Sequence, residues 1–329
     1  MKNTIRRGLA VLAVLSLLCA RAFALPETLV PVGRTVGIHL CTPPVVTGFE
    51  ASASARDAGL RVGDCIVSVD GQEIASAEEL RSRIGPDALC LGVRRDGDEL
   101  EFTVTPEIRG DTTRLGLRVR DGITGVGTVT FYDPATGCFG ALGHGVNDPA
   151  TGRPARANGG SVMAAEVTGA VRGAPGHPGE LLARFSMDAP VGEIECSKAA
   201  GIFGWMRPPM AIESLPLAST AQVKAAPALI LADVEGEEVR AFAVEILKID
   251  PKNREGRNFL LQVRDEALIE RTGGIVQGMS GSPIVQDGRF VGAVTHVLVD
   301  DPTLGYGISI ETMLAQAPPA LYGAGRTYE

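Results

Sequence analysis

Apolar positions in this chain come in short bursts cut by glycine and turn residues, and seldom at the three-to-four spacing of a helix. Thr35-Val36-Gly37-Ile38-His39-Leu40 reads as a strand. Ile66, Val67 and Val69 lead into Asp70-Gly71, a strand entering a tight hairpin turn. Leu89 to Val93 and Glu101 to Val104 flank Asp96-Gly97-Asp98 in the same way. Further on, Gly125 to Phe131, Val162 to Val167, Leu181 to Phe185, Ala228 to Val234, Val239 to Ile249, Phe259 to Val263 and Phe290 to Val299 read as strands. Helical signals are few. Ser76-Ala77-Glu78-Glu79 is a capping box, and Asp265 to Arg271 and Ile310 to Ala315 carry weaker periodicity. The pattern predicts a mainly β chain: an α+β unit over residues 34–106, then residues 107–329 as barrels or a sandwich.

Composition narrows this picture. The 329 residues suffice for two domains, and 45% hydrophobic residues supply their cores. Aromatics are 5%, against 41 glycines and 21 prolines, which suits short strands and tight turns. A net charge of −8 gives no basic face for nucleic acid. Residues 1–25 predict an export signal. Lys2, Arg6 and Arg7 precede an apolar run from Leu9 to Ala20, and Ala22-Phe23-Ala24 reads as a cleavage site. That run is too short for a bilayer-spanning helix. Export across the cytoplasmic membrane is expected, with retention of the signal as a temporary anchor the alternative. The cysteines are scattered, with no C-x-x-C, and read as small buried hydrophobes; disulfides are not required. Metal-ligand spacing is absent, and no cofactor is implied.

The string Ala55-Arg56-Asp57-Ala58-Gly59-Leu60-Arg61-Val62-Gly63-Asp64-Cys65-Ile66-Val67-Ser68-Val69-Asp70-Gly71 resembles the PDZ domains of bacterial exported proteases. In such domains an apolar-Gly-apolar element captures a peptide terminus, and the peptide adds to a strand edge. Val36-Gly37-Ile38 matches that element; a plain bulge at Gly37 is the structural alternative.

Gly278-Met279-Ser280-Gly281-Ser282-Pro283 is the most informative stretch. Its glycines permit a sharp turn that brings backbone N–H groups together as an oxyanion hole. The loop is similar to the G-D-S-G-G-P loop of chymotrypsin-like peptidases. Aligned on the proline, Ser280 takes the nucleophile position, with the N–H groups of Gly278 and Ser280 as the hole; Ser282 is the rival. A nucleophilic serine needs a base. Of the four histidines, His144 in Gly143-His144-Gly145 precedes the serine at the spacing such peptidases use. His39 reads as structural, His177 lies in a loop, and His296 follows the nucleophile.

Three strings, Ala141 to Gly145, Thr272 to Pro283, and Gly292 to Val297 with Asp301-Pro302-Thr303 and Gly305-Tyr306-Gly307, closely resemble the stage IV sporulation protein B peptidases of spore-forming bacteria. The resemblance covers nearly everything after the export segment. It implies a chymotrypsin-like double β-barrel, and a Ser280, His144 and Asp265 triad, with Asp188 the next candidate. It implies self-cleavage, and action between forespore and mother cell on a membrane-bound signalling complex, releasing an intramembrane protease that activates a late sigma factor. Two other readings stay open: a non-catalytic PDZ scaffold that only binds peptide termini, and an exported quality-control protease.

Overall fold

The structure is a computed structural model that describes residues 26–321 except 111, 150, 156, 210–212 and 320. The predicted export segment, residues 1–25, lies outside the described residues.

Alternating apolar strands pair into two closed barrels, because closure satisfies every strand edge. In the first, the order is Cys138–Ala141, Gly201–Met206, Glu180–Lys198, Gly160–Val171, Thr35–Leu40 and Ile123–Tyr132, and the last pairs back to the first. In the second, Pro227–Ala232, Arg240–Ile249, Phe259–Val263, Asp301–Ser309, Arg289–Leu298 and Pro283–Gln286 form a closed ring. The double barrel expected from the family resemblance is therefore what the chain forms. Leu40, Val129, Phe139 and Ile202 fill the first barrel; Ile230, Phe259, Leu261 and Ile284 fill the second. Each such side chain contributes about 1.5–3 kcal/mol of burial. The C-terminal helix Ile310–Leu314 seals the barrels together, with Met313 packed in one cluster with Phe131, Phe203 and Phe290.

The PDZ unit is a third sheet in the order Leu117–Arg120, Val45–Phe49, Cys65–Val69, Leu89–Arg95 and Asp98–Val104. Its helices are Ser54–Asp57 and Ala77–Ser82. Ser76 caps the second by accepting from the Glu79 N–H. Glu79 reaches back to the Ala75 N–H, one residue before the cap.

Two expectations need correcting here. Thr35–Leu40 is not part of the PDZ sheet. It pairs with Ile123–Tyr132 on one side and Gly160–Val171 on the other, and so closes the first barrel. The PDZ unit is thus an insertion running to Arg120 rather than ending near 106, held between the barrel strands that end at Leu40 and begin at Ile123. A short apolar run with a glycine serves a barrel strand as well as a peptide-binding one, so the local pattern could not choose. The cysteines also differ from expectation: Cys138 is buried, Cys41 is exposed and Cys65, Cys90 and Cys196 are half-buried, none in a disulfide among the described residues.

Candidate active site

The loop from Gly278 to Pro283 sits where the second barrel meets the first. Thr272 ends the helix Glu266–Thr272, and Gly273 in left-handed conformation turns the chain out of it. The loop then runs to the strand Pro283–Gln286. Gly281 has φ +100, and a Cβ there would stand 2.1 Å from the Thr128 carbonyl oxygen. Only glycine lets the loop lie this close to the first barrel.

Thr128 then grips the loop. Its N–H donates to the Ser280 carbonyl at 3.0 Å, and its hydroxyl donates to the Gly278 carbonyl at 2.7 Å. From the other side the Leu181 N–H donates to the Gln277 carbonyl at 2.8 Å. With these carbonyls held, the adjoining N–H groups are oriented too. Among the described residues neither the Gly278 nor the Ser280 N–H has an acceptor. Those are the two donors the sequence nominates. Thr128 itself escaped sequence reading, because a threonine in a strand carries no signal for what its hydroxyl will meet.

Ser280 lines a cleft of about 490 Å³ between the barrels, and His144 lines the same cleft. Ser282 does not: it is fully buried, and its hydroxyl has no partner among the described residues. The geometry thus separates the two serines. The Ser280 hydroxyl donates to the Thr295 carbonyl at 2.8 Å.

His144 follows the strand Cys138–Ala141 through a strained turn. Leu142 has φ +72, and the Gly143 N–H bonds the Ala141 carbonyl across it at 2.9 Å. The other non-glycine residues of positive φ, Asp70, Asp96 and Asp287, each precede a glycine in a tight turn. Leu142 also precedes a glycine, Gly143, yet unlike aspartate it has no short polar side chain to ease this conformation, and strain of this kind gathers at functional sites. The His144 Nδ1 lies 2.7 Å from the Gly145 carbonyl oxygen. A carbonyl only accepts, so Nδ1 carries the proton and Nε2 is left basic. Burial holds the His144 pKa below its usual value, against a smaller opposing effect of the Gly145 bond.

Asp265 does not join this pair. Its carboxylate accepts from the Leu268 N–H at 3.0 Å and the Ala243 N–H at 3.3 Å, capping the helix Glu266–Thr272. It is not among the residues lining the cleft, and neither is Asp188. The strand ending at Val263 pairs inside the second barrel, so Asp265, two residues on, caps a helix there and does not reach across to His144. In place of a carboxylate, the second ring in the site is His296, its centroid 4.9 Å from that of His144. Burial first, then His144 and Arg257, push the His296 pKa down to about 4. Both rings are therefore neutral at neutral pH.

With this arrangement in view, comparison with known proteins is decisive. The model of the SpoIVB peptidase S55 family matches residues 111–314, and a PDZ domain model matches residues 45–89. The chain belongs to the SpoIVB peptidase S55 family. It is accordingly a serine peptidase carrying a PDZ domain. Part of it is also similar to proteins called "Putative zinc metalloprotease". One from Bartonella henselae is 34% identical over 87 residues, 26% of this chain and 24% of that protein. One from Agrobacterium fabrum is 28% identical over 93 residues, 27% and 25% of the two chains. The peptidase thus spans about a quarter of the length of these relatives. Among its own described residues no group of three or more His, Cys, Asp or Glu is placed to hold a metal ion.

The PDZ unit presents its groove elsewhere than the sequence suggests. Val36, Gly37 and Ile38 are buried between two barrel strands, and a Cβ on Gly37 would meet the Phe185 ring at 2.3 Å. No free strand edge exists there. The sheet edge is Leu117–Arg120 instead, entered through Leu115-Gly116-Leu117, a second apolar-Gly-apolar element. A cavity of about 470 Å³ separates this strand from the helix Ala77–Ser82, with Leu80, Leu117 and Val119 on its walls and Arg81 and Arg114 at its sides.

Proposed function

We propose that Ser280 is the nucleophile of this peptidase, that His144 Nε2 takes its proton, and that the Gly278 and Ser280 N–H groups receive the oxyanion. The observation that carries this reading is the pairing of two acceptor-free N–H groups with Ser280 in one cleft with a basic His144 Nε2. The hydroxyl of Ser280 attacks the carbonyl carbon of a peptide bond. His144 receives the hydroxyl proton and passes it to the leaving amine. Water, deprotonated by the same ring, then releases the acyl group. Gly145 supplies the orienting acceptor that a carboxylate supplies in a triad, which makes the site a dyad. Purified chain should cleave peptide and take up a fluorophosphonate probe, while Ser280→Ala and His144→Ala should not. Equal cleavage by wild type and Ser280→Ala would end this assignment.

The wider role rests on the family resemblance. An exported chain of this kind would act between forespore and mother cell, cleaving a membrane-bound regulator and so triggering intramembrane proteolysis and late sigma-factor activation. The PDZ groove at Leu117–Arg120 suits a peptide terminus, with the strand edge for its backbone and Arg81 and Arg114 for its carboxylate. Replacing the chain by Ser280→Ala in the producing cell should stop spore formation after engulfment. Normal sporulation in that strain refutes the signalling role and leaves the peptidase chemistry standing.

A further inference from the structure

We propose that the residue whose carbonyl Ser280 attacks is an uncharged aliphatic one, selected by Ile275, Val276, Val297 and Val299. The inference rests on the assignment of Ser280 above and deepens it to a substrate class.

Among the described residues lining the cleft there is no Asp, Glu, Lys or Arg; its titratable side chains are the two histidines. The wall on the nucleophile side comes from two segments. Ile275 and Val276 precede the loop directly; Val297 follows Thr295 on the strand Arg289–Leu298, and Val299 lies in the turn just after it. Ser280 and its N–H pair bind the attacked carbonyl, so the side chain of that same residue enters the cleft beside the loop, where the facing wall from the first barrel, with Ile38, Leu40 and Val126, is apolar too. Ile275 is 2% exposed, and packing against the neighbouring strand Asp301–Ser309 fixes its position. Its Cδ1 fills the space a side chain on residue 305 would need, since a Cβ on Gly305 would stand 2.6 Å away. Val299 continues the apolar surface to the rim, where it is 49% exposed. Pro178, on the loop joining the two longest strands, closes the same end.

A lysine or aspartate entering such a pocket would leave water and meet no counter-charge, which is costly. A leucine, isoleucine or valine gains burial there. Single-methylene differences in apolar pockets already give roughly 10–200-fold discrimination. For aliphatic against charged residues, about 100-fold or more in kcat/KM is expected on the same basis.

The purified chain should be given a peptide library randomised at one position, with cleavage products read by mass spectrometry. Fluorophosphonate labelling of the same samples runs beside Ser280→Ala. Aliphatic residues should dominate the acyl side of the cleaved bond. Val297→Asp should raise cleavage after lysine by about tenfold or more, the gain of a counter-charge. If that variant does not fold, as read by its melting curve, the wild-type profile still decides. Ser280-dependent labelling together with cleavage after charged residues overturns the substrate class alone. Absence of both labelling and cleavage overturns the Ser280 assignment, and the substrate class falls with it.

Discussion

Thr128→Val isolates the contact through which the first barrel holds the nucleophile loop. Thr128 is 1% exposed, and valine keeps its shape while removing the hydroxyl. The Gly278 carbonyl then loses its donor at 2.7 Å, while the backbone bond from Thr128 to Ser280 survives. A hydrogen bond of this kind is worth about 0.5–1.5 kcal/mol net, and because Gly278 is half-buried at the cleft its carbonyl does not incur the full cost of a buried orphan. Folding stability should therefore fall by about 0.5–1.5 kcal/mol. The peptide following Gly278 keeps the bond from its Met279 N–H to the Val276 carbonyl at 3.1 Å but loses the one at its other end, and the Ser280 N–H rides on the next peptide. Losing about 1.4 kcal/mol of its preorganisation lowers kcat about tenfold. The cleft walls are untouched, so KM should move less than about threefold. Single-turnover cleavage of a chromogenic peptide, with urea unfolding of the same preparations, measures both. Thr128→Ser, which keeps the hydroxyl, should recover most of the rate. If Thr128→Val lowers stability as expected yet leaves kcat unchanged, the clamp is structural only and the link from Thr128 to the oxyanion hole is wrong.

Other expectations follow from the same geometry. Asp265→Asn retains a good helix cap and should keep activity within about twofold, whereas Asp265→Ala should cost about 0.5–2 kcal/mol of stability; a large loss of kcat in Asp265→Asn would instead restore the carboxylate to the chemistry. His144 must be neutral to act as base and its pKa is lowered by burial, so the acid limb of kcat/KM should fall below the usual imidazole value of 6.5; a limb above it contradicts the buried base. Asp233 is fully buried across the barrel interface, accepting from the Thr35 N–H at 2.7 Å, and burial raises its pKa to about 6 against those bonds. The native state therefore holds a proton that the unfolded chain releases, so stability present at pH 4 is lost as pH rises to about 6, on the order of 3 kcal/mol. Asp233→Asn should flatten that slope in urea titrations across this range. Finally, Arg120 of the PDZ edge strand pairs at 2.6 Å with Asp148, four residues after His144. Arg120→Met should speed hydrogen exchange in residues 145–149 and lower kcat several-fold, while unchanged exchange there shows that the PDZ unit does not brace the base.

What the residues alone determined was local chemistry. A glycine-rich loop needs small residues wherever its amides converge, so Gly278 to Pro283 was readable without a fold, and Gly-His-Gly marked His144 as a ring released at a strand end. Hairpin turns at Asp70-Gly71 and the Ser76 cap were readable for the same reason, since each is fixed by neighbours in sequence. Tertiary structure decided everything that depends on which strand lies beside which. Thr35–Leu40 became a barrel strand because its two partners come from Ile123–Tyr132 and Gly160–Val171, far along the chain. That moved the PDZ groove to Leu115–Arg120. Asp265 became a helix cap because its strand is locked in the second barrel, facing away from His144. Thr128 became a clamp, Ser282 was shut inside, and His296 came to rest against His144. Contacts between residues so far apart in the chain are set by packing and closure of the barrels. No short-range pattern carries that information, because many strand pairings satisfy the same alternation of apolar and polar positions.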